Sequence, residues 1–190
     1  MKNIAVFASG RGTNFSAIAR AVNKGLIKAN LALLVCDKPG APVIAKAKRA
    51  HVKVVFFDAS IISCLEENKI DLIVMAGFMR LLSPEFVAKY KGRIINIHPA
   101  LLPSFKGAHG INEAFDYGVK LSGVTVHFVD EKMDHGPVIL QQQVRIEEDD
   151  TLGSFEARIH KVEHKLYPQA IGLFLEGKLL IEGRKVKIIS

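Results

Sequence analysis

The sequence predicts an α/β fold, namely a doubly wound, mostly parallel sheet of the Rossmann-like type with helices on both faces and an antiparallel extension in the C-terminal part. The first half alternates short apolar runs with amphipathic segments, which is typical of a parallel sheet wound with helices. Beyond Pro99, two longer extended stretches are separated only by a turn-rich segment, and this favours antiparallel pairing. A long apolar stripe at helical spacing begins after Thr151.

The first half is expected to contain five strands and four helices, whose ends are marked by glycine, proline and N-capping residues. Ser83, Pro84 and Glu85 have the pattern of a helix start, with a capping serine followed by proline at the first helical position. The expected strands are 3–8, 31–36, 52–57, 71–76 and 93–98, and the other expected helices are 14–24, 41–50 and 60–68.

The second half is expected to contain extended stretches at 122–129 and 137–146, a long helix from Thr151 that Pro168 kinks, and a terminal hairpin over 178–189. The segment 103–117 is rich in glycine and has the length of a mobile cover over a site. Since no stretch reads as a linker, we expect a single domain over residues 1–190.

Composition indicates a globular protein: of 190 residues, 49% are hydrophobic and 24% are charged. Cys36 and Cys64 lack the spacing of zinc or redox motifs, and we expect no metal. The net charge of +7 comes from Lys and Arg spread along the chain, so we expect no nucleic-acid partner. No apolar run is long enough to span a bilayer and the N-terminus lacks a signal-peptide pattern, so we expect a cytoplasmic protein without a membrane partner.

The segment SGRGTN (9–14) connects the first strand to the first helix. Glycines there let the backbone turn sharply and present amide groups to an anion beside the helix N-terminus, so a phosphate is the expected ligand. The segment lacks the Lys-Ser/Thr of a P-loop and the third glycine of the dinucleotide fingerprint. The alternative is a glycine turn that serves only a tight connection.

Asn96 and His98 interrupt an isoleucine run at the carboxyl end of the fifth strand, and being two residues apart they share one side of it. Ligands of open α/β sheets bind at this end of the strands. Asn supplies a neutral donor and His an acid, a base or a donor, which suits the stabilisation of an oxyanion. The alternative is a structural histidine with a hydrogen bond.

Three acids, Asp130, Glu131 and Asp134, lie in the short loop between the two extended stretches. A calcium site would need more oxygen ligands at regular spacing, and His127 with His135 lacks further metal ligands. An acid from this loop is able to reach a catalytic histidine and stabilise its charged form. For the side chains of Asp130 and Glu131 the favoured alternative is a solvated loop.

The chain resembles the phosphoribosylglycinamide formyltransferase family over essentially its whole length, and three motifs carry this resemblance. They are SGRGTN (9–14), AGFMRLLSPEFVAKYKGRIINIHPALLP (76–103) and GVTVHFVDEKMDHGPVILQ (123–141). The Asn-x-His-Pro and Asp-x-Gly elements are shared with other enzymes that use 10-formyltetrahydrofolate. The resemblance therefore implies this formyl donor more firmly than it implies the acceptor.

The resemblance also implies roles for individual residues. The catalytic residues would be Asn96, His98 and Asp134. Substrate-binding residues would be Gly12, Thr13 and Asn14 for the phosphate, with His160, Lys161 and Glu163 for the rest of that substrate. The folate would contact Met79, Arg80, Leu81, Leu82, Asn96, Asp130, Glu131 and Asp134. There are two alternatives to these binding roles. One is that Met79, Leu81 and Leu82 are plain core residues, and the other is that Glu163 is a solvated helix acid.

The chain departs from the family pattern in the shorter segment 58–71, where an Arg that contacts the folate tail has no counterpart, and at Ala100, where Ser is usual. The expected function is transfer of the formyl group of 10-formyltetrahydrofolate to phosphoribosylglycinamide by a monomer or weak homodimer. Another enzyme that transfers or hydrolyses this formyl group, or a non-catalytic nucleotide-binding module, is the alternative. A tRNA-directed enzyme would need a further domain, and a dehydrogenase would leave Asn96, His98 and Asp134 unexplained.

Overall fold

The computed structural model describes residues 1–189, which form two compact units. The first unit is Met1–Asn96 and the second begins at Ile97. The single domain expected over residues 1–190 stays a prediction.

The first unit alternates strands and helices as the sequence predicts. Its boundaries agree with the expected ones to within about two residues, because apolar runs and terminal glycines or prolines mark most of them. The elements are β1 (Lys2–Phe7), α1 (Thr13–Asn23), β2 (Ala29–Cys36), α2 (Pro42–Arg49), β3 (Lys53–Phe56), α3 (Ile61–Glu67), β4 (Ile70–Met75), α4 (Pro84–Lys89) and β5, which runs over Ile94–His98.

The strands of this unit lie in the order β3-β2-β1-β4-β5, and all neighbouring pairs are parallel. The chain moves outward from β1 to β3 and then crosses back to β4 on the other side of β1. Since such crossovers are right-handed, the reversal places α1 and α2 on one face and α3 and α4 on the other. The doubly wound prediction is confirmed.

The reversal between β1 and β4 lies where the chain leaves β1 for the glycine-rich segment. There the amide of Ser9 donates to the carbonyl of Gly77 (3.1 Å) and the amide of Ala76 to that of Phe7 (2.8 Å). Open α/β sheets bind ligands outside such a reversal, at the carboxyl ends of the strands. The glycine-rich segment therefore occupies the expected ligand end of this sheet.

The core of the first unit contains β1, whose residues from Ile4 to Phe7 are fully buried, and a set of packed aromatic rings. Phe7 lies 5.3 Å from Phe78 and 6.2 Å from Phe86, measured between ring centroids, in edge-on or tilted geometry. Each fully buried side chain of this size contributes roughly 1.5–3 kcal/mol through removal of apolar surface from water. This core holds the carboxyl ends of β1 and β4 in place.

The second unit contains the predicted antiparallel portion. Strands β6 and β7 pair antiparallel, with Thr125 opposite Gln141, and a terminal hairpin of β8 and β9 adds to β7 through a parallel contact of β9. The antiparallel extension and the terminal hairpin are confirmed. The elements are α5 (Gly110–Tyr117), β6 (Leu121–Phe128), β7 (Val138–Arg145), α6 (Leu152–Leu175), β8 (Leu179–Glu182) and β9 (Lys185–Ile188).

Helix α6 begins with a reciprocal cap, in which Thr151 accepts from the amide of Ser154 (3.2 Å) and Ser154 from the amide of Thr151 (3.0 Å). The helix packs against β6 and β7. It is 24 residues long and Pro168 lies within it. It is the longest helix, yet within residues 1–189 neither it nor any other is long and apolar enough to cross a membrane.

Helix α5 corrects the expectation of a mobile cover over 103–117. Its eight residues end at Gly118, whose left-handed backbone (φ 78°) is a common helix stop. Phe115 stacks on Phe155 of α6 with ring centroids 6.2 Å apart. The glycines before α5 concealed a short helix that is fixed by packing against α6, so only 103–109 stays outside regular structure.

Candidate functional site

His98 ends β5 and is buried, with a relative exposure of 3%. Its Nε2 lies 2.7 Å from the carbonyl oxygen of Phe105. A carbonyl only accepts, so Nε2 carries the proton in this arrangement. The other ring nitrogen, Nδ1, is thereby left facing Asp134. Asn96, two residues earlier on the same strand, is half-buried.

Asp134 lies between two histidines. Its Oδ2 is 3.4 Å from Nδ1 of His98 and its Oδ1 is 3.6 Å from Nε2 of His127. The amide of Gly107 donates to Oδ2 at 2.8 Å, and the carboxylate is nearly buried. The predicted pairing of a loop acid with His98 is therefore present in the geometry, with His127 as a second neighbour.

The protonation states follow from burial and from these neighbours. Burial lowers the pKa of His98 below its ordinary value, although the Asp134 carboxylate and the Phe105 carbonyl oppose this shift. Burial raises the pKa of the Asp134 carboxyl, but the His127 ring, the Gly107 amide and the His98 ring outweigh it and bring the pKa below its ordinary value. In the free protein, burial therefore works against the charged form of His98 that the sequence argument expected, whereas Asp134 works in its favour.

His127 is the residue of this group to which sequence reasoning gave no role. It is buried on β6, and its Nδ1 donates to the carbonyl of Phe128 at 2.8 Å, so that Nε2 faces Asp134. The signal available in the sequence was the alternation of polar and apolar residues along β6. A buried histidine in such a strand, just before an acidic loop, needs polar partners.

The glycine-rich segment of the first unit ends at Gly12, the N-terminal flanking residue of α1, whose backbone is left-handed (φ 70°). Glycine has no side chain to cap the first-turn amides, and these amides suit an anion. Ser9 donates to the carboxylate of Asp37, and the amide of Val43 donates to the carbonyl of Gly10 at 3.2 Å. A Cβ at Gly12 would lie 2.5 Å from the side chain of Val43, so close packing demands glycine here in addition to any ligand.

Thr13 and Asn14 begin α1, half-buried and buried respectively. In the second unit, His160, Lys161 and Glu163 lie on α6, where Lys161 is exposed and Glu163 is only 4% exposed. His160 contacts Glu163 at 2.8 Å and Glu156 at 3.1 Å. The interpretation of Glu163 as a solvated helix acid is wrong. The hydrogen bond to Glu163 raises the pKa of His160, against the effect of burial and with further help from Glu156.

The segment after β4 exposes large apolar side chains. Met79 is 57% and Leu81 is 73% exposed, Leu82 is half-buried, and Arg80 lies over the ring of Phe57 at 5.2 Å. The interpretation of Met79 and Leu81 as plain core residues is therefore wrong. Neighbouring exposed apolar side chains suit contact with an apolar ligand.

Hydrogen bonds connect the first residue of the acidic loop, Asp130, to later residues of the same loop. Asp130 accepts from the amide of Lys132 at 3.0 Å and from Nδ1 of His135 at 2.7 Å, whereas Glu131 is exposed. Asp130 is thus a structural acid, and the solvated interpretation fits Glu131 alone. Within residues 1–189, no group of three or more His, Cys, Asp or Glu side chains is arranged to hold a metal ion.

Comparisons with known proteins show which family this chain resembles. A family model described as "Formyl transferase" matches residues 2–171. The phosphoribosylglycinamide formyltransferase of Bacillus subtilis (strain 168) is 47% identical over 182 residues, covering 90% of this chain and 93% of that protein. The enzyme of the same name from Haemophilus influenzae is 37% identical, covering 96% and 91%. The crystal structure of glycinamide ribonucleotide transformylase 1 from Symbiobacterium toebii superposes with a TM-score of 0.96 at 39% identity, covering 100% of this chain and 95% of that one.

Proposed function

The chain belongs to the formyl transferase family, and we propose that it transfers the formyl group of 10-formyltetrahydrofolate to the amine of phosphoribosylglycinamide. The products are formylglycinamide ribonucleotide and tetrahydrofolate, in purine biosynthesis. The relatives that share 37–47% identity over most of their length support this acceptor. The observation that carries the chemistry is the pair formed by His98, which follows Asn96 on β5, and the nearly buried carboxylate of Asp134.

The reaction is a direct acyl transfer. The acceptor amine attacks the formyl carbon, a new C–N bond forms, and the formyl oxygen becomes an oxyanion. The Nε2–H of His98 and the amide group of Asn96 donate to this oxyanion. When the intermediate collapses, the bond to the folate nitrogen breaks, and that nitrogen takes up the proton that the amine has lost.

Asp134 serves this step through His98. A carboxylate 3.4 Å from Nδ1 stabilises positive charge on the ring, so the ring becomes a stronger donor as negative charge develops on the formyl oxygen. Burial favours the neutral ring in the free protein, and Asp134 opposes that preference. Release of the Phe105 carbonyl from Nε2 is required before this nitrogen is able to donate to the formyl oxygen.

The binding roles are proposals of the same kind. We assign the phosphate of the acceptor to Gly12, Thr13 and Asn14, supported by the uncapped start of α1. The remainder of the acceptor is assigned to the α6 residues, and the folate to the exposed 79–82 segment and the backbone of 130–134. The side-chain oxygens of Asp130 are engaged by His135 and Lys132, so its contact with folate is through the backbone.

The test is incubation of the purified protein with 10-formyltetrahydrofolate, with and without phosphoribosylglycinamide, while the folate product is followed. We expect product only when the acceptor is present, and a loss of at least about 100-fold in kcat for His98→Asn. Equal release of the folate product without acceptor would identify a hydrolase and overturn the proposal.

We also propose that the enzyme is a monomer or weak homodimer, works in the cytoplasm and uses no nucleic-acid or membrane partner. The even spread of Lys and Arg along the chain supports the absence of a nucleic-acid site. Sedimentation at several protein concentrations tests the oligomeric state, and cell fractionation tests the location.

A further inference from the structure

The terminal hairpin reaches the loop that carries Asp134. Arg184, in the turn between β8 and β9, donates from Nη2 to the carbonyl oxygen of His135 at 2.6 Å. Its Nη1 lies 3.2 Å from both ring nitrogens of His135. His135 directly follows Asp134 in the chain, so the arginine fixes the peptide next to the proposed catalytic acid.

The ring of His135 extends this connection across the loop. Nδ1 donates to Oδ2 of Asp130 at 2.7 Å, because a carboxylate only accepts. Nη1 of Arg184 contacts the same ring. Arg184, His135 and Asp130 thus form a chain of polar contacts from the hairpin to the start of the loop.

The backbone of Asp134 is left-handed (φ 47°), a conformation that costs a non-glycine residue about 1–2 kcal/mol. Its carboxylate lies 3.4 and 3.6 Å from the two histidines and accepts from the amide of Gly107 at 2.8 Å. A shift of the loop backbone would therefore move the carboxylate relative to His98.

We propose that Arg184 is a positioning residue that holds the loop from Asp130 to Pro137 so that Asp134 faces His98. The inference rests on the proposed function, because it concerns the same acid. It adds a role for the C-terminal hairpin in that function.

The test compares Arg184→Ala and Arg184→Lys with Lys187→Ala. Lys187 is exposed on the same hairpin and pairs with Glu182 at 2.6 Å, so its loss perturbs the hairpin without touching His135. We expect Arg184→Ala to lower kcat about 10- to 100-fold, the scale of a catalytic group displaced by about 1 Å, with KM for phosphoribosylglycinamide unchanged. Arg184→Lys restores part of the loss because it keeps the charge and one donor. Lys187→Ala behaves as the unmodified protein.

The His98 ring supplies a readout that a purely structural defect would not move. Asp134 raises the pKa of His98, so displacement of the carboxylate in Arg184→Ala lowers that pKa in an NMR titration, in the direction of Asp134→Asn. His135→Ala retains the backbone carbonyl and shows a smaller shift. An unmoved His98 pKa in folded Arg184→Ala overturns the positioning role, whatever happens to kcat. If Asp134→Asn is itself fully active, the role assigned to Asp134 fails instead, whereas the proposed function fails only if the unmodified protein forms no acceptor-dependent product.

Discussion

At the scale of single residues, the site contains an acid whose two neighbours differ in what they can do for it. The ring of His127 is fixed by the Phe128 carbonyl within β6, whereas that of His98 is fixed by a carbonyl from a segment outside regular structure. A substrate is able to displace the second contact far more easily than the first. Of the two rings beside Asp134, that of His127 therefore keeps its carbonyl partner, whereas that of His98 can exchange its carbonyl partner for a substrate.

Asp134→Asn keeps the shape of the side chain and removes its charge. We expect kcat to fall about 100-fold or more, on the scale of a lost oxyanion donor, because the charged form of the His98 ring, which is the stronger donor, loses its neighbouring carboxylate. Binding of both substrates changes little. Steady-state kinetics and an NMR titration of the His98 ring test this, with the exposed Asp116→Asn as control. Near-normal turnover and an unmoved pKa would assign Asp134 to a structural turn.

Glu163→Gln tests the buried acid of α6. Glu163 raises the pKa of His160 above 6.5, so the folded chain binds this proton more tightly than the unfolded chain. The resulting stability is fully present below about pH 6.5 and is lost as the pH rises through the raised pKa. In Glu163→Gln the contribution of His160 to the pH dependence of the unfolding free energy becomes smaller. Urea unfolding at a series of pH values measures this dependence. An unchanged dependence of the unfolding free energy on pH would contradict the pairing of Glu163 with His160.

At the scale of elements, the start of α5 is packed against His98, the proposed catalytic histidine. A Cβ at Gly110 would lie 2.9 Å from the Phe105 carbonyl oxygen and 3.2 Å from Nε2 of His98. The backbone of Gly110 is not among the left-handed ones, so the restriction comes from space alone. Glycine at position 110 therefore allows the start of α5 to pack closely against His98.

We expect Gly110→Ala to lower kcat about tenfold, because the added methyl group crowds the nitrogen that must donate to substrate. The hydrogen bond that His98 donates to the Phe105 carbonyl is also disturbed, which lowers the His98 pKa further. Gly172→Ala is the matched control: no atom lies within 4 Å of its added Cβ, and alanine stabilises a helix interior by about 0.5–1 kcal/mol. Kinetics and thermal unfolding of both variants decide, and equal kcat values would show that Gly110 is dispensable.

At the scale of the whole molecule, the net charge of +7 acts as a diffuse field. We expect weak, non-specific affinity for tRNA that collapses between about 50 and 200 mM salt, as counterion release requires. Gel shifts with initiator tRNA and with an unrelated RNA of equal length test this. Tight binding to initiator tRNA alone at the higher salt would indicate a different acceptor.

The sequence was sufficient for those features that depend on local patterns. Strand periodicity placed Asn96 and His98 at the carboxyl end of β5, and proline or glycine marked most element ends. Helix α5 escaped because its eight residues start at a glycine and are fixed by packing on α6. Arg184 and His135 are 49 residues apart, a separation at which no local pattern connects two side chains. The lowered pKa of His98 depends mainly on burial, which a local sequence pattern does not measure.

The Phe105 carbonyl competes with a formyl donor for the Nε2–H of His98, so their hydrogen bond bears on how tightly the donor binds. While the carbonyl occupies Nε2, the protein is in a closed state, and the apparent affinity equals the intrinsic one multiplied by the open fraction. Every 1.4 kcal/mol that favours the closed state weakens apparent affinity about tenfold. The left-handed backbone of Phe105 (φ 50°) costs about 1–2 kcal/mol, which opposes the contact that its carbonyl makes with Nε2. A competing ligand gains most if it brings its own acceptor for Nε2.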